Sequence, residues 1–275
     1  MQTIENNAVR AAEAQRSWHP ATSAWQGKTR LWTELADVCR LLRINLVPAL
    51  GGLADEEFRF QNLQFKTGQR IYTLGQSFDS FYLVNSGFVK TVAVDDQGTE
   101  QVLGFPMKGD LFGIDGIYSK KYETEAVALS NCDIIVIPFR KFVALGRAHP
   151  ELETEIYRVM SRELVREQNM LSMLGSLSSE ARVARFLVNL SDRFTEMGYS
   201  GREFSLRMTR HEIGSYLGMT LETVSRTLSA FNEIGLISIN QRELVLKDVQ
   251  ALRTLRRLPP SRARRLRPKK AAAVI

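Results

Sequence analysis

A chain of 275 residues with 44% apolar and 24% charged residues has room for two hydrophobic cores and is globular in composition. No apolar run approaches the roughly 18 residues that span a bilayer, and the polar start lacks the apolar stretch of a secretory signal, so a cytoplasmic protein without membrane contact is expected. Two cysteines exclude a disulfide framework, and His19, His149 and His211 lie in unrelated segments that supply neither a zinc spacing nor a nucleophile motif, so an enzyme is not expected.

The chain begins with an extension, residues 1–45, in which Trp18, Trp25 and Trp32 recur at intervals of seven. From Trp25, the residues Trp25, Trp32, Leu35, Cys39 and Leu42 form one helical stripe, which predicts a helix that buries Cys39 against the body; Pro20 separates Trp18 from it. Core packing accounts for the tryptophans more simply than an aromatic ligand site does.

Residues 46–148 read as a β-rich domain. Short β-branched and aromatic runs (Phe81 to Val84, Phe88 to Val94, Gln101 to Phe105, Ile134 to Ile137) alternate with turn signals at Gly68, Gly75, Gly87, Gly98 and Gly109. This rhythm predicts a jelly roll or small barrel. Lys120 and Lys121 fall on a polar loop, where solvation explains them more simply than an anion site. Cys132, near the start of a strand, reads as a small buried residue.

Residues 149–175 predict one long helix, with Pro150 in its first turn and Gly175 at its end. Ile156, Met160, Glu163, Glu167, Met170 and Leu174 follow coiled-coil spacing, so the helix wants a partner helix. If the stripe faces a symmetry mate, Glu163 and Glu167 oppose pairing; if it turns toward Val159 and Met173, both acids lie at the flank.

Residues 176–250 carry the most specific signal. Ser178 or Ser179 caps a helix through Ala184, Leu187 and Phe194, which Gly198 ends. Met208 to Leu228 then reads as a helix-turn-helix. Ile213, Leu217 and Val224 supply the contacts between its helices, Gly214 has no side chain to hold them apart, and Gly218 takes a turn conformation of positive φ. Thr220 caps the second helix, which places Glu222, Ser225 and Arg226 on one polar face suited to the major groove. His211 faces solvent. Leu236 to Ile239 and Leu244 to Leu246, joined around Asn240 and Gln241, form a two-stranded wing.

The charge of +7 is concentrated in the tail, residues 251–275: from Arg253 onward there are nine Lys/Arg and no acids, leaving −2 on residues 1–252. With Pro259, Pro260 and Pro268 among its arginines, the tail reads as disordered, either a solvated end or a non-specific phosphate grip.

The order of roll, long helix and winged helix-turn-helix over about residues 60–250 resembles the CRP/FNR family of bacterial transcription regulators, an α+β architecture whose N-terminal β-roll is cupin-like. Glu222-Thr-Val-Ser-Arg226 and Phe204-Ser-Leu-Arg-Met-Thr-Arg210 are similar to the FNR branch, and Gly109-Asp-Leu-Phe-Gly113 and Ile137-Pro-Phe139 to the family's roll. The resemblance implies a homodimer paired through its long helices, with RNA polymerase as a further partner, on an inverted repeat of double-stranded DNA. The DNA-contacting set it implies is Thr209, Arg210, Thr220, Leu221, Glu222, Thr223, Ser225 and Arg226. Arg226 suits guanine, Glu222 cytosine, and Ser225 a neighbouring A·T pair. Leu221 stands where the CRP branch has an arginine, which favours the FNR-like operator TTGAT-N4-ATCAA over TGTGA half-sites.

Two departures from the family pattern bear on the effector. The cyclic-nucleotide branch carries a Gly-Glu turn and a phosphate-binding arginine, whereas here Gly113 precedes Ile114 and Asp115 and no arginine occurs from Leu111 to Phe139. The FNR branch holds an iron–sulfur cluster on several N-terminal cysteines, whereas this N-terminus has only Cys39. Neither cAMP nor a four-cysteine cluster is therefore expected, no cofactor or metal is assigned, and a ligand-sensing module with secondary DNA binding is the alternative function.

Overall fold

The computed structural model describes residues 32–44 and 59–256. Its first half is a roll of two antiparallel sheets. One sheet runs in the order β1 (Trp32–Glu34), β2 (Arg59–Phe65), β9 (Cys132–Pro138), β4 (Ser80–Ser86), β7 (Leu111–Phe112). The other runs β3 (Arg70–Tyr72), β8 (Glu125–Ala128), β5 (Val89–Val94), β6 (Glu100–Gly104).

Side chains alternate across a strand, and both faces of the first sheet are covered. Tyr82 and Val84 of β4, with Cys132 and Ile134 of β9, point toward the second sheet, where they meet Tyr72, Val89, Ala126 and Ala128. Phe81, Leu83, Ile135 and Ile137 point the other way, into a cluster built by helices α1 (Leu35–Leu42), α3 (Phe139–Ala148) and α4 (Pro150–Ser176). A further one-turn helix, α2 (Gly116–Ser119), lies in the loop between β7 and β8.

Residues 32–44 are thus part of the roll and not a separate extension. Trp32 does not continue a helix from Trp25: it starts β1, which pairs with Arg59–Gln61, and it stays half exposed. Thr33 fixes that register by donating a buried hydrogen bond to Asn62 Oδ1 at 2.7 Å. The helix begins at Leu35, and Leu35, Val38, Cys39 and Leu42 form its buried face. Trp18 and Trp25 lie outside the described residues.

The long helix has Pro150 in its first turn and runs on through Gly175, ending at Ser176 with Leu177 extended beyond it. Gly175 is accordingly no cap. The expected pairing stripe turns inward at both ends. Ile156 is buried in the roll's outer cluster with Met160 beside it, Met170 packs on the core of the C-terminal domain, and Leu174 lies near the turn at Gly218. Glu163 pairs with Arg166 of its own chain at 3.0 Å; burial raises its carboxyl, with Arg166 opposing that rise. Only Glu167 of the set is fully on the surface. Val159 and Met173, the alternative stripe, also pack on their own chain.

The C-terminal domain contains α5 (Ser179–Glu196), capped by Ser178, then β10 (Glu203–Ser205), α6 (Arg210–Leu217), α7 (Leu221–Glu233), β11 (Ile237–Asn240), β12 (Glu243–Leu246) and α8 (Val249–Thr254). The wing has three strands, not two, because β10 pairs with β12. The start of the expected tail is folded as α8, with Leu252 buried and Arg253 bonded to Asp192 at 2.7 Å; residues 257–275 lie outside the described set. Among the described residues no helix is long and apolar enough to cross a membrane.

Helices α6 and α7 meet at Gly214, where a Cβ would fall 2.6 Å from the Met219 carbonyl oxygen. Backbone cannot yield as a flexible side chain does, so Gly214→Ala must prise the two helices apart. We expect a stability loss of about 1–3 kcal/mol, typical of overpacking, read as a lower denaturation midpoint; an unchanged midpoint would refute this close approach.

Candidate nucleic-acid interface

The geometry of the helix-turn-helix follows from local chemistry. Thr209 and Glu212 cap α6 reciprocally: the Thr209 hydroxyl accepts from Glu212 N–H at 3.1 Å, and the Glu212 carboxylate accepts from Thr209 N–H at 2.7 Å. Burial opposes ionisation of Glu212, but the bonds from Thr209 and the charge of Lys90 outweigh it and hold the carboxyl below its usual range. Gly218 ends α6 at φ 61°, and Arg182 donates to the Leu217 carbonyl at 3.1 Å, satisfying a helix C-terminal acceptor.

Ile213, Leu217 and Val224 are buried between the helices. Thr220 then caps α7 by accepting from Thr223 N–H at 3.2 Å, and the two threonine hydroxyls lie 3.1 Å apart. Thr223 and Ser225 are half-buried beside the exposed Glu222 and Arg226, and Leu221 is 42% exposed at the helix start. The Glu222 carboxyl is held below the ordinary range by its own backbone N–H and the Thr220 hydroxyl. It is therefore an ionised acceptor at the N-terminal end of α7. Among the described residues no ion pair joins Glu222 to Arg226, which leaves both groups open to a ligand.

Two expected DNA contacts have work within the domain. Thr209 is engaged in the capping box, and Arg210 donates to the carbonyl of Gln241 in the wing turn at 2.9 Å. Burial, and then the neighbouring Arg242, lower the pKa of Arg210. Arg210 thus ties the first helix of the motif to the wing. Arg242 is exposed beside it, a cation of the wing turn that the motif alone does not single out. Its signal lies in the turn Asn240-Gln-Arg242, where Gln241 takes φ 53°. His211 is exposed, as its position on α6 predicts.

The motif does not stand apart from the roll. Ser215 of α6 meets the edge strand β6: its hydroxyl accepts from Val102 N–H at 2.9 Å and its carbonyl from the Gln101 side chain. Lys90 of β5 pairs with Glu212 at 3.2 Å, and Phe105 packs its ring against Tyr216 and Phe186. Ser215 as a cap on an open sheet edge has no signal in the local sequence.

Inside the roll, the rings of Tyr72, Tyr82, Phe112 and Tyr122 stack with centroids 4.1–6.1 Å apart. Tyr122 donates to the Ser80 carbonyl at 2.8 Å, and Tyr72 and Thr124 share a hydrogen bond of 3.2 Å. A Cβ on Gly113 would touch three of these rings at 3.2–3.4 Å. Cys39 and Cys132 are both buried, in different clusters. Burial pushes the Cys39 thiol up to about 11 and also raises Cys132. Among the described residues no group of histidine, cysteine and carboxylate side chains is gathered to hold a metal ion.

Comparison with known proteins agrees with this architecture. Residues 62–149 match the cyclic nucleotide-binding domain family and residues 181–255 the Crp-like helix-turn-helix domain family. The chain is 42% identical over 200 residues to the transcriptional regulatory protein btr of Bordetella pertussis, covering 73% of this chain and 83% of that protein. It is 38% identical over 188 residues to the fumarate and nitrate reduction regulatory protein of Salmonella typhimurium, covering 68% and 75%. The structure of FixK2 from Bradyrhizobium japonicum superposes with a TM-score of 0.65 at 25% identity, covering 73% of this chain and 98% of that one. An open polar recognition helix, a roll beneath it and these relatives together place the chain in the CRP/FNR family of DNA-binding transcription regulators, and not among enzymes.

Proposed function

We propose that the protein acts as a homodimer on the inverted repeat TTGAT-N4-ATCAA in the cytoplasm, with RNA polymerase as its protein partner. The observation that carries the DNA reading is the solvent-open row of Leu221, Glu222 and Arg226 on α7, with the half-buried Ser225 beside Arg226. Arg226 offers two donors to guanine O6 and N7, the ionised Glu222 accepts from cytosine N4, and Leu221 packs on a thymine methyl. Thr220 and Thr223 sit at the end of the helix that meets the phosphates, and Arg242 adds a cation at the wing. A regulator held at an operator acts on the polymerase that transcribes from it.

A second copy of this chain is the partner for α4. Tyr157, Leu164 and Leu171 are 60%, 59% and 68% exposed, they recur every seven residues, and Val165 flanks them. This stripe is rotated by roughly 80° from the inward one, at 100° per residue of helix. An apolar heptad row left in water along a helix whose other face is covered is the geometry of a two-helix seam.

Neither cAMP nor a four-cysteine iron–sulfur cluster is the effector in this reading. The stacked tyrosines take up the space between the sheets, and no arginine lies from Leu111 to Phe139 to meet a phosphate there. Two thiols in separate cores, both disfavoured as thiolates by burial, do not make a cluster site. The residues present fit neither group.

Operator choice is tested by competition at fixed salt between TTGAT and TGTGA repeats, using wild type and Leu221→Arg. Wild type should prefer TTGAT, by about 1–3 kcal/mol for each base pair of the other site that it cannot read, and Leu221→Arg should shift toward TGTGA. Equal affinity of wild type for both would refute the assignment. The seam is tested by sedimentation of Leu164→Glu. Burying a leucine contributes about 2 kcal/mol per chain, and two glutamates would repel across the axis, so the variant should dissociate at least about tenfold more readily. Association equal to wild type would place the dimer seam elsewhere.

A further inference from the structure

We propose that Asp110 is a positioning residue for operator recognition, whose carboxylate clamps the long helix and the DNA-binding domain to the roll and so sets the spacing of the two recognition helices. The proposal rests on the two-fold reading above and adds to it the element that makes the pair rigid.

Asp110 is 5% exposed, and its main chain is held on the roll. Val84 N–H donates to its carbonyl at 3.1 Å, and its own N–H reaches the Met107 carbonyl at 2.9 Å. The preceding Gly109, at φ 85°, passes so close beneath α1 that a Cβ would lie 2.9 Å from the Leu41 carbonyl oxygen. The loop cannot shift without moving β4 or α1. From this fixed base the side chain reaches two other elements. Oδ1 accepts from Arg166 of α4 at 2.8 Å; Oδ2 accepts from Met107 N–H at 2.9 Å and from Arg193 of α5. Arg193 also donates to the Phe105 carbonyl at 3.3 Å.

The positions of the two arginines along the chain give the clamp its leverage. Helices α4 and α5 are joined through Leu177, extended at φ −105° and ψ 149°, which is the pivot between the dimer helix and the DNA-binding domain. Arg166 lies eleven residues before that pivot and Arg193 sixteen residues after it, arms of roughly 16 and 24 Å at 1.5 Å per residue. One carboxylate joining both arms closes the angle between the helices. The edge of the second sheet, where Val102 of β6 holds Ser215 and Lys90 of β5 holds Glu212 of α6, is a second anchor. The pivot and that anchor define an axis, and a third attachment is needed to stop rotation about it. Asp110 supplies a buried one, beside the exposed Arg43–Glu196 pair at 2.9 Å, and without its charge Arg193 loses its carboxylate partner while Arg166 keeps Glu163.

Half-sites read by a two-fold protein must lie one helical turn apart, and a change of one base pair moves a half-site by about 3.4 Å along the duplex and rotates it. A rigid dimer rejects that change, whereas domains freed to swing accept it. The test measures wild type, Asp110→Asn and Arg193→Gln on inverted repeats of the half-site that wild type prefers, with three-, four- and five-base-pair spacers, and on a single half-site. Wild type should favour one spacer by about tenfold or more, the scale of one mismatched base pair. In both variants that preference should fall at least about fivefold while half-site affinity stays at the wild-type value, since a clamp remote from the base-reading face leaves that face intact. Arg193→Gln leaves Asp110 paired with Arg166 and carries the test if Asp110→Asn does not fold. Unchanged spacer preference in the folded variants, or a fall in half-site affinity equal to the fall on the repeat, would overturn the positioning role. A wild type that binds the repeat no more tightly than the half-site would instead overturn the two-fold reading on which it rests.

Discussion

The double burial of the five-stranded sheet is the constraint from which the rest of the molecule takes its place. β4 and β9 send Tyr82, Val84 and Ile134 inward and Phe81, Leu83, Ile135 and Ile137 outward, with almost no side-chain surface left to water. The outward face needs helices to cover it, and α1, α3 and the first turns of α4 do so through Leu42, Leu145, Leu152, Ile156 and Val159. Fully burying one such side chain is worth about 1.5–3 kcal/mol, so the start of the long helix is anchored before any partner is considered. Its outer stripe and its far end are what remain for other work.

That division explains why the helix-turn-helix is legible in the sequence and the exposed face of the long helix is not. Gly214, Gly218, Thr220 and Val224 each meet a local requirement: a close approach, a left-handed turn, a cap and a buried contact. Neighbours within a few residues decide all four. The row Ile156, Met160, Met170, Leu174 has the right period, but a period says only that a helix face is apolar. The roll claims one end of that face and the C-terminal domain the other, both distant in sequence, and Tyr157, Leu164 and Leu171 are left outside. Trp32 departs from its expected helix for the same reason. Its heptad spacing fits a helix, yet pairing with Arg59–Gln61 and the buried Thr33–Asn62 bond hold it in a strand. The wing's third strand, β10, is hidden because three residues are too short to show alternation.

The interior of the roll gives a physical reason to separate fold from ligand. Four stacked aromatic rings, with Tyr72 and Tyr122 4.1 Å apart, occupy the space between its sheets, and their hydroxyls bond to Thr124, Ser80 and one another. Burial raises the pKa of each of the three tyrosines, so these phenols stay neutral and contribute packing and directional bonds. A buried network that is fully satisfied rigidifies its surroundings. Here it stiffens Gly113 and the strand β7 that begins immediately after Asp110.

That stiffness gives the contacts between roll and DNA-binding domain a fixed reference. Ser215 capping the edge of β6, Lys90 beside Glu212, and Asp110 between Arg166 and Arg193 are polar contacts and therefore directional. Apolar packing through Phe105, Tyr216 and Phe186 holds the two bodies together and tolerates sliding, whereas the polar set selects one orientation. Adhesion and aim are therefore supplied by different residues. Loss of the directional contacts alone would free the recognition helix to turn, and the apolar packing would keep the domain attached while it did.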